Sequence, residues 1–203
     1  MTEKERMLSG NLYVAADNEL RKMSTRSRAL LDAFNTTSFA DFEKRQEILC
    51  ELFGKVGNNA HVNKPFYCDY GAHIEVGDNF YANFDCIILD VNKVIIGNNV
   101  MFAPRVCIYT AGHPIDKDVR NEQLEFGKAV RIGNDVWIGG NVVINPGVTI
   151  GDNVVIGSGS VVTKDIPSNV IAYGNPCKVY RKITEEDTIY WNKEREKYYH
   201  TKK

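Results

Sequence analysis

From Ile132 to Pro167 an aliphatic residue returns at every sixth position: Ile132, Ile138, Ile144, Ile150, Ile156 and Val162. Four places after each stand Val136, Val142, Val148, Val154, Ser160 and Ile166. A period of six fits neither an amphipathic helix nor a two-faced strand, so this stretch is a hexapeptide repeat. Each unit reads as a short strand and a tight corner. Gly133, Gly139, Gly151 and Gly157 are expected to supply the permissive backbone there, with Asn145 and Thr163 in the equivalent places. Three strands make a triangular coil, and coils stack like strands of a parallel sheet about 4.8 Å apart. The chain is therefore expected to be mainly β.

Carried backwards, the frame breaks in interpretable places. Val56, Val62 and Cys68 make one coil, Val76, Ala82 and Ile88 a second, and Ile96, Phe102 and Ile108 a third. Two-residue slips fall around Ile74 and Glu75 and around Val94 and Ile95. The frame then resumes only at Ile132, after an inserted loop over residues 114–131 with His113 at its base. Long loops thrown from a rigid scaffold are commonly functional. About five coils result, over residues 56–167.

Residues 1–55 show helical spacing instead, through Leu20, Met23, Leu30, Leu31 and Phe34, then Phe42, Leu49, Leu52 and Phe53. Two or three helices are expected, with Asp17 and Ser38 as N-caps and Gly54 as a stop. Residues 168–203 read as an extended segment leaving the prism. A final helix follows, capped by Thr184, with acidic residues in its first turn. That helix is expected to shield the open end of the solenoid.

Composition narrows the class of protein. With 25 basic and 26 acidic residues there is no electrostatic footprint for nucleic acid or an anionic membrane. The five cysteines, never in a CxxC pair, read as reduced and mostly buried thiols. No run suits a membrane span, so a soluble, cytoplasmic protein is expected.

The coil pattern resembles the left-handed parallel β-helix of the hexapeptide-repeat acyltransferases, and the hand is an expectation from that resemblance. More specific are Asn79 to Phe84, Ala111 to Pro114, Val136 to Gly140, Ile144 to Val148, Val162 to Pro167 and Gly174 to Cys177. Together, in this order, they are similar to the maltose and galactoside O-acetyltransferases over nearly the whole chain. The resemblance implies that His113 is the general base for attack of a sugar hydroxyl on acetyl-CoA, a role to which imidazole is suited. It implies that the Gly140 amide and the Asn83 side chain stabilise the oxyanion near the acetyl group and the sugar. For the coenzyme it implicates Trp137, Ser158, Thr163, Lys164, Lys178 and Arg181, with Lys178 where many relatives carry arginine. For the acceptor it implicates Asp17, Asp69, Tyr81, Asn83 and Asp90, and it suggests that Glu125 orients His113. Asp69 departs from galactoside enzymes that carry serine there. It further implies a homotrimer with sites between prisms.

His113 has no close-spaced histidine partner in His61, His73 or His200, so a metal site is not expected. The acceptor stays open at this point: maltose, glucose or a galactoside, or an antibiotic, a serine or an amino sugar. A non-enzymatic solenoid used for assembly is the remaining alternative.

Overall fold

The computed structural model describes residues 1–202. Three sheets form the sides of a prism. The first face carries Lys55–Val56, Ile74–Val76, Val94–Ile96, Val130–Ile132 and Thr149–Ile150, all parallel, and Ile166 bridges on to Ile150. The second carries His61–Val62, Tyr81–Ala82, Met101–Phe102, Trp137–Ile138, Val154–Ile156 and Val170–Tyr173. The third carries Phe66–Cys68, Cys86–Leu89, Cys107–Tyr109, Val143–Ile144 and Val161–Val162.

Register confirms the six-residue frame residue by residue. Val56, Val76, Ile96, Ile132 and Ile150 stack as partners on the first face. Val62, Ala82, Phe102, Ile138, Ile156 and Ala172 stack on the second. Ile88, Ile108, Ile144 and Val162 continue Cys68 on the third. These inward columns are almost wholly buried, and their burial is the main term holding the coils together.

From first face to second, and from second to third, the stride is six residues in every complete coil: 56 to 62 to 68, 132 to 138 to 144. All variation falls at the third-to-first corner. There the steps are eight (68 to 76 and 88 to 96), twenty-four (108 to 132), six (144 to 150) and four (162 to 166). Three expectations shift accordingly. The slips lie in corners 69–73 and 90–93, because Ile74, Leu89 and Val94 already pair in strands. The insertion spans 110–129, with His113 inside it, since Val130 and Arg131 already pair with Val94 and Ile95. The solenoid also continues beyond Pro167, through a shortened corner, to Tyr173.

The corner glycines serve differently from the expectation. The left-handed backbone at the first-to-second corner belongs to Asn59, Asn79, Asn99, Asp135 and Asn153, with φ between 52° and 58°. Gly133 is required instead because a Cβ there would lie 2.4 Å from Asp152 Oδ1 in the next coil.

Three helices precede the prism: α1 (Glu3–Leu8), α2 (Asn18–Thr36) and α3 (Phe42–Leu52). Leu31 and Phe34 of α2 and Ile48, Leu49 and Leu52 of α3 close the first coil by packing with Val62 and Phe66. Asp17 caps α2 through the amides of Glu19 and Leu20, whereas Asp41 rather than Ser38 caps α3. Ser38 lies in the preceding turn and accepts from the Ala40 amide.

At the other end, Lys178–Lys182 pairs antiparallel with Val170–Tyr173 and covers the last strand of the second face. The terminal helix Glu185–Thr201, which follows the short helix Lys117–Asn121 (α4) and is numbered α5, buries none of its residues. It does not shield the solenoid; its first turn is tied to the strand by Arg181 and Asp187. The five cysteines are free, but only Cys86 and Cys177 are buried and Cys50 is exposed.

Asn92 joins the outlying parts to the prism. Its side-chain amide donates to the carbonyls of Met7, Leu8 and Gly127, at 3.1–3.2 Å, and its Oδ1 accepts from the Lys93 amide. Its backbone N–H donates to Thr110 Oγ1, at the root of the insertion. Asn92→Ala leaves buried carbonyls without donors and is expected to destabilise by about 2 kcal/mol or more. Asn92→Asp, which sets oxygen against three carbonyls, should cost at least as much. Urea denaturation checks both, and limited proteolysis should show the 110–129 loop cut faster in either variant.

Candidate active site

The longer corners build a cleft. Asp69 and Tyr70 project from the first long corner, Val91 from the second, and the insertion from the third. Within the insertion, Ala111–Gly112 pairs antiparallel with Leu124–Gly127, and the outer edge of Leu124–Gly127 pairs with Tyr13–Val14. Together with α2 these elements enclose about 530 Å³, lined in part by Arg21, Ser24, Arg28, Asp69 and Glu125. A second depression of about 280 Å³ adjoins it and shares Ser24, Arg28 and Asp69.

His113 follows directly on the Gly112–Phe126 pair. Continuing that register by one residue sets His113 across from Glu125, and directly opposed residues of an antiparallel pair point to one side. Its imidazole is exposed and makes no hydrogen bond among the described residues. The Glu125 carboxylate accepts from the buried Tyr13 hydroxyl at 2.8 Å. Burial, then that hydrogen bond, pushes the Tyr13 phenol well above its ordinary range, so it stays a donor.

The acidic residues expected at the acceptor have unlike surroundings. Asp69 lines the cleft; burial, then the charges of Asp90 and Glu125, push its carboxyl up to about 6, with Arg28 opposing. Asp90 is 0 % exposed, and its oxygens accept from the amides of Asp69, Tyr70 and His73 at 2.8–3.2 Å. It holds the corner together and does not reach the cleft; Val91 occupies the wall there. Asp17 spends Oδ1 on the α2 cap, and Oδ2 accepts no hydrogen bond among the described residues.

The remaining candidates lie elsewhere on the prism. Tyr81 is on the second face, its ring stacked on His61 at 5.7 Å and its hydroxyl accepting from Asn63. Asn83, Gly140 and Ser158 share the second-to-third corner, and the Gly140 amide donates to Ser158 Oγ at 3.1 Å. The Asn83 Oδ1 accepts from the Phe84 amide. Trp137, 51 % exposed, continues an outward column from Met101 to Val155 and Ile171, which ends opposite Arg181. Lys178 is exposed beside it, while Arg181 is held by Asp187 at 2.6 and 2.8 Å. Thr163 and Lys164 return to the third-to-first corner, below the insertion.

His113, Glu125, Asp69, Thr163 and Lys164 therefore lie at the third-to-first corner and Asn83, Gly140 and Ser158 at the second-to-third corner, the two edges of the third face, while Tyr81 and Trp137 stand on the second face and Lys178 and Arg181 on the strand beyond it. At about 3.3 Å per residue, a six-residue stride puts those edges roughly 15–20 Å apart. One chain does not bring Asn83 to His113. The cleft residues Tyr13, Arg21, Ser24, Thr25, Arg28, Tyr70 and Val91 were not identified from the sequence. The signal available for four of them was a polar stripe at helical spacing, 21, 24, 25 and 28, on one side of α2.

Comparison with known proteins agrees with this architecture. Residues 6–57 match the maltose acetyltransferase hexapeptide capping motif, and residues 129–164 match the bacterial transferase hexapeptide of six repeats. Galactoside O-acetyltransferase of Escherichia coli is 45% identical over 96% of this chain and 96% of its own length. The crystal structure of a maltose O-acetyltransferase from Clostridium difficile 630 superposes with a TM-score of 0.90 at 58% identity, covering 91% of this chain and 98% of that one. A galactoside acetyltransferase in complex with coenzyme A gives 0.90 at 46% identity, covering 93% and 94%. The helical cap, the hexapeptide coils and full-length similarity at this identity lead to one assignment: the chain belongs to the maltose and galactoside O-acetyltransferase family.

Proposed function

We propose that the protein moves the acetyl group of acetyl-CoA to a hydroxyl of a mono- or disaccharide of the maltose, glucose or galactoside type. The observation that carries this is His113, opposed to Glu125, on a braced hairpin beside a polar cleft. The sugar oxygen attacks the thioester carbonyl while His113 takes its proton. The tetrahedral adduct collapses by breaking the C–S bond, and the imidazolium returns the proton to the leaving thiolate. No acyl-enzyme forms. Glu125, backed by Tyr13, orients the imidazole and favours its charged form in the transition state.

Asp69 accepts hydrogen bonds from acceptor hydroxyls, and the free oxygen of Asp17 does the same at the cleft's margin. The Asn83 side chain and the Gly140 amide serve the oxyanion once Ser158 gives up its bond to Gly140. Trp137 flanks the pantetheine arm, with Ser158, Thr163 and Lys164 along the groove. Lys178 and Arg181 meet the nucleotide phosphates, so a phosphate competes with Asp187 for Arg181.

Since Asn83 and His113 lie on different corners, the complete site is built between chains, in a closed homotrimer. The outward columns support this. Met101, Trp137, Val155 and Ile171 on the second face, and Tyr67, Ile87, Tyr109, Val143 and Val161 on the third, are apolar or aromatic. The first face shows Lys55, Glu75, Ile95, Arg131 and Thr149. Two different apolar faces per chain suit a head-to-tail ring. A cytoplasmic setting would supply acetyl-CoA and keep the free thiols reduced.

His113→Ala is expected to lower kcat by about 10²- to 10⁴-fold with little change in CoA affinity. Thiol release over a sugar panel measures it, and a loss under about threefold would exclude His113 as the base. A second expectation concerns pH. The Asp69 carboxyl, raised to about 6, becomes protonated as pH falls through that value and stops accepting. The KM for sugar should therefore rise below about pH 6, and Asp69→Asn should flatten that dependence while raising KM at neutral pH. An unchanged pH profile of KM in the variant would remove Asp69 from acceptor binding.

A further inference from the structure

The cleft carries positive charge that a neutral sugar leaves unused. On α2, Arg21, Ser24, Thr25 and Arg28 recur at helical spacing and all line the cleft. Seven residues at about 1.5 Å rise set the two arginines about 10 Å apart along the helix, comparable to two linked pyranose rings. Arg26, on another side of the same helix, is bonded to the Glu51 carbonyl at 2.8 Å and lies 3.5 Å from its carboxylate. Arg21 and Arg28 have no such partner: neither guanidinium forms an ion pair or donates a hydrogen bond within the chain, among the described residues. Even Asp32, one turn beyond Arg28 and lining the adjoining depression with it, is not within ion-pair distance.

The two acids of the cleft are disposed to tolerate an anion at the helix side. Glu125 is occupied by the Tyr13 hydroxyl on the small antiparallel sheet that carries the insertion. Asp69 projects from the prism corner and makes no ion pair with either arginine among the described residues, the Arg28 charge being the least of the influences on its carboxyl. Arginine forks bind carboxylate and phosphate through paired, charge-assisted hydrogen bonds, which are stronger than those to neutral hydroxyls.

We propose that Arg21 and Arg28 select an acidic saccharide as acceptor, its carboxylate or phosphate held against α2 while a hydroxyl faces His113. This rests on the sugar acetyl-transfer reading and adds the chemical class of the acceptor. The spacing of the arginines and the adjoining depression favour an acceptor longer than one ring.

The test compares kcat/KM for a neutral disaccharide, the same disaccharide with one ring oxidised to a uronic acid, and its phosphate monoester, by thiol release from acetyl-CoA. In the wild-type protein at least one acidic acceptor should exceed the neutral parent about tenfold or more, with the advantage shrinking as salt is raised. Whichever acidic arm leads identifies the anionic group. In the double variant Arg21→Gln, Arg28→Gln the acidic-to-neutral ratio should fall towards one, while Arg21→Lys, Arg28→Lys retains part of it and Arg26→Gln leaves it unchanged. Because each ratio is taken within one protein preparation, a loss of folded fraction cancels. A wild-type ratio near one overturns the proposal, as does a ratio that survives the double glutamine variant. In both cases acetylation of the neutral sugar leaves the acetyl-transfer reading standing; no turnover of any sugar would end both.

Discussion

Three aliphatic columns must stay in register for the prism to exist. Each coil sets one inward residue on each face directly beneath its partner, so an added or lost residue within a face would turn the next side chains outward. The cost of such a slip is the burial of a whole column. Two corners of this prism keep the six-residue stride in every complete coil, and every departure is collected at the third. Function follows from that restriction, because the one corner free to vary is the one that grows a cleft.

A loop of twenty residues at a solenoid corner has no core of its own, so its geometry must be imposed by polar bonds. Asn92 supplies them by tying α1 and the Leu124–Gly127 strand to the prism through one buried amide group. Gly127 permits the approach, since a Cβ there would lie 2.8 Å from Val91. A small cluster of Met7, Tyr13, Leu20, Tyr70 and Val91 fills the space beneath. The chain's first twenty residues are thus structural support for the insertion, and the Tyr13 to Glu125 bond carries that support to the residue across from His113.

The cleft is electrostatically divided. Burial raises the Asp69 and Asp90 carboxyls together, but Asp90 is surrounded by backbone amides and Asp69 is left facing the cleft. On the opposite wall α2 presents Arg21 and Arg28, which have no ion-pair partner among the described residues. The second face differs again: an outward apolar column through Met101, Trp137, Val155 and Ile171 ends opposite Arg181. Two faces of the prism are apolar on the outside and one is polar, and Asn83 and His113 stand on different corners of it.

The hexapeptide period determined the prism, its inward residues and the frame of the five coils up to Pro167, because burial repeats at a fixed stride and that stride is written in the residue types, while the last turn, through Ile166 and Ala172, follows a shortened corner that the period does not contain. The N-terminal helices were legible for the same reason, and His113 stood out because the repeat broke beside it. What tertiary structure decided were the relations between segments distant in sequence. Asp90 looked like an acceptor residue until neighbouring amides claimed it, and Val91 took its place on the wall. The final helix looked like a shield for the open end until it proved to bury none of its residues. Arg21 and Arg28 become candidates only because the fold brings α2 against the corner where the coils lengthen. A single chain's sequence records local periodicity directly, but which side chains converge depends on packing across a hundred residues, and no local pattern encodes that.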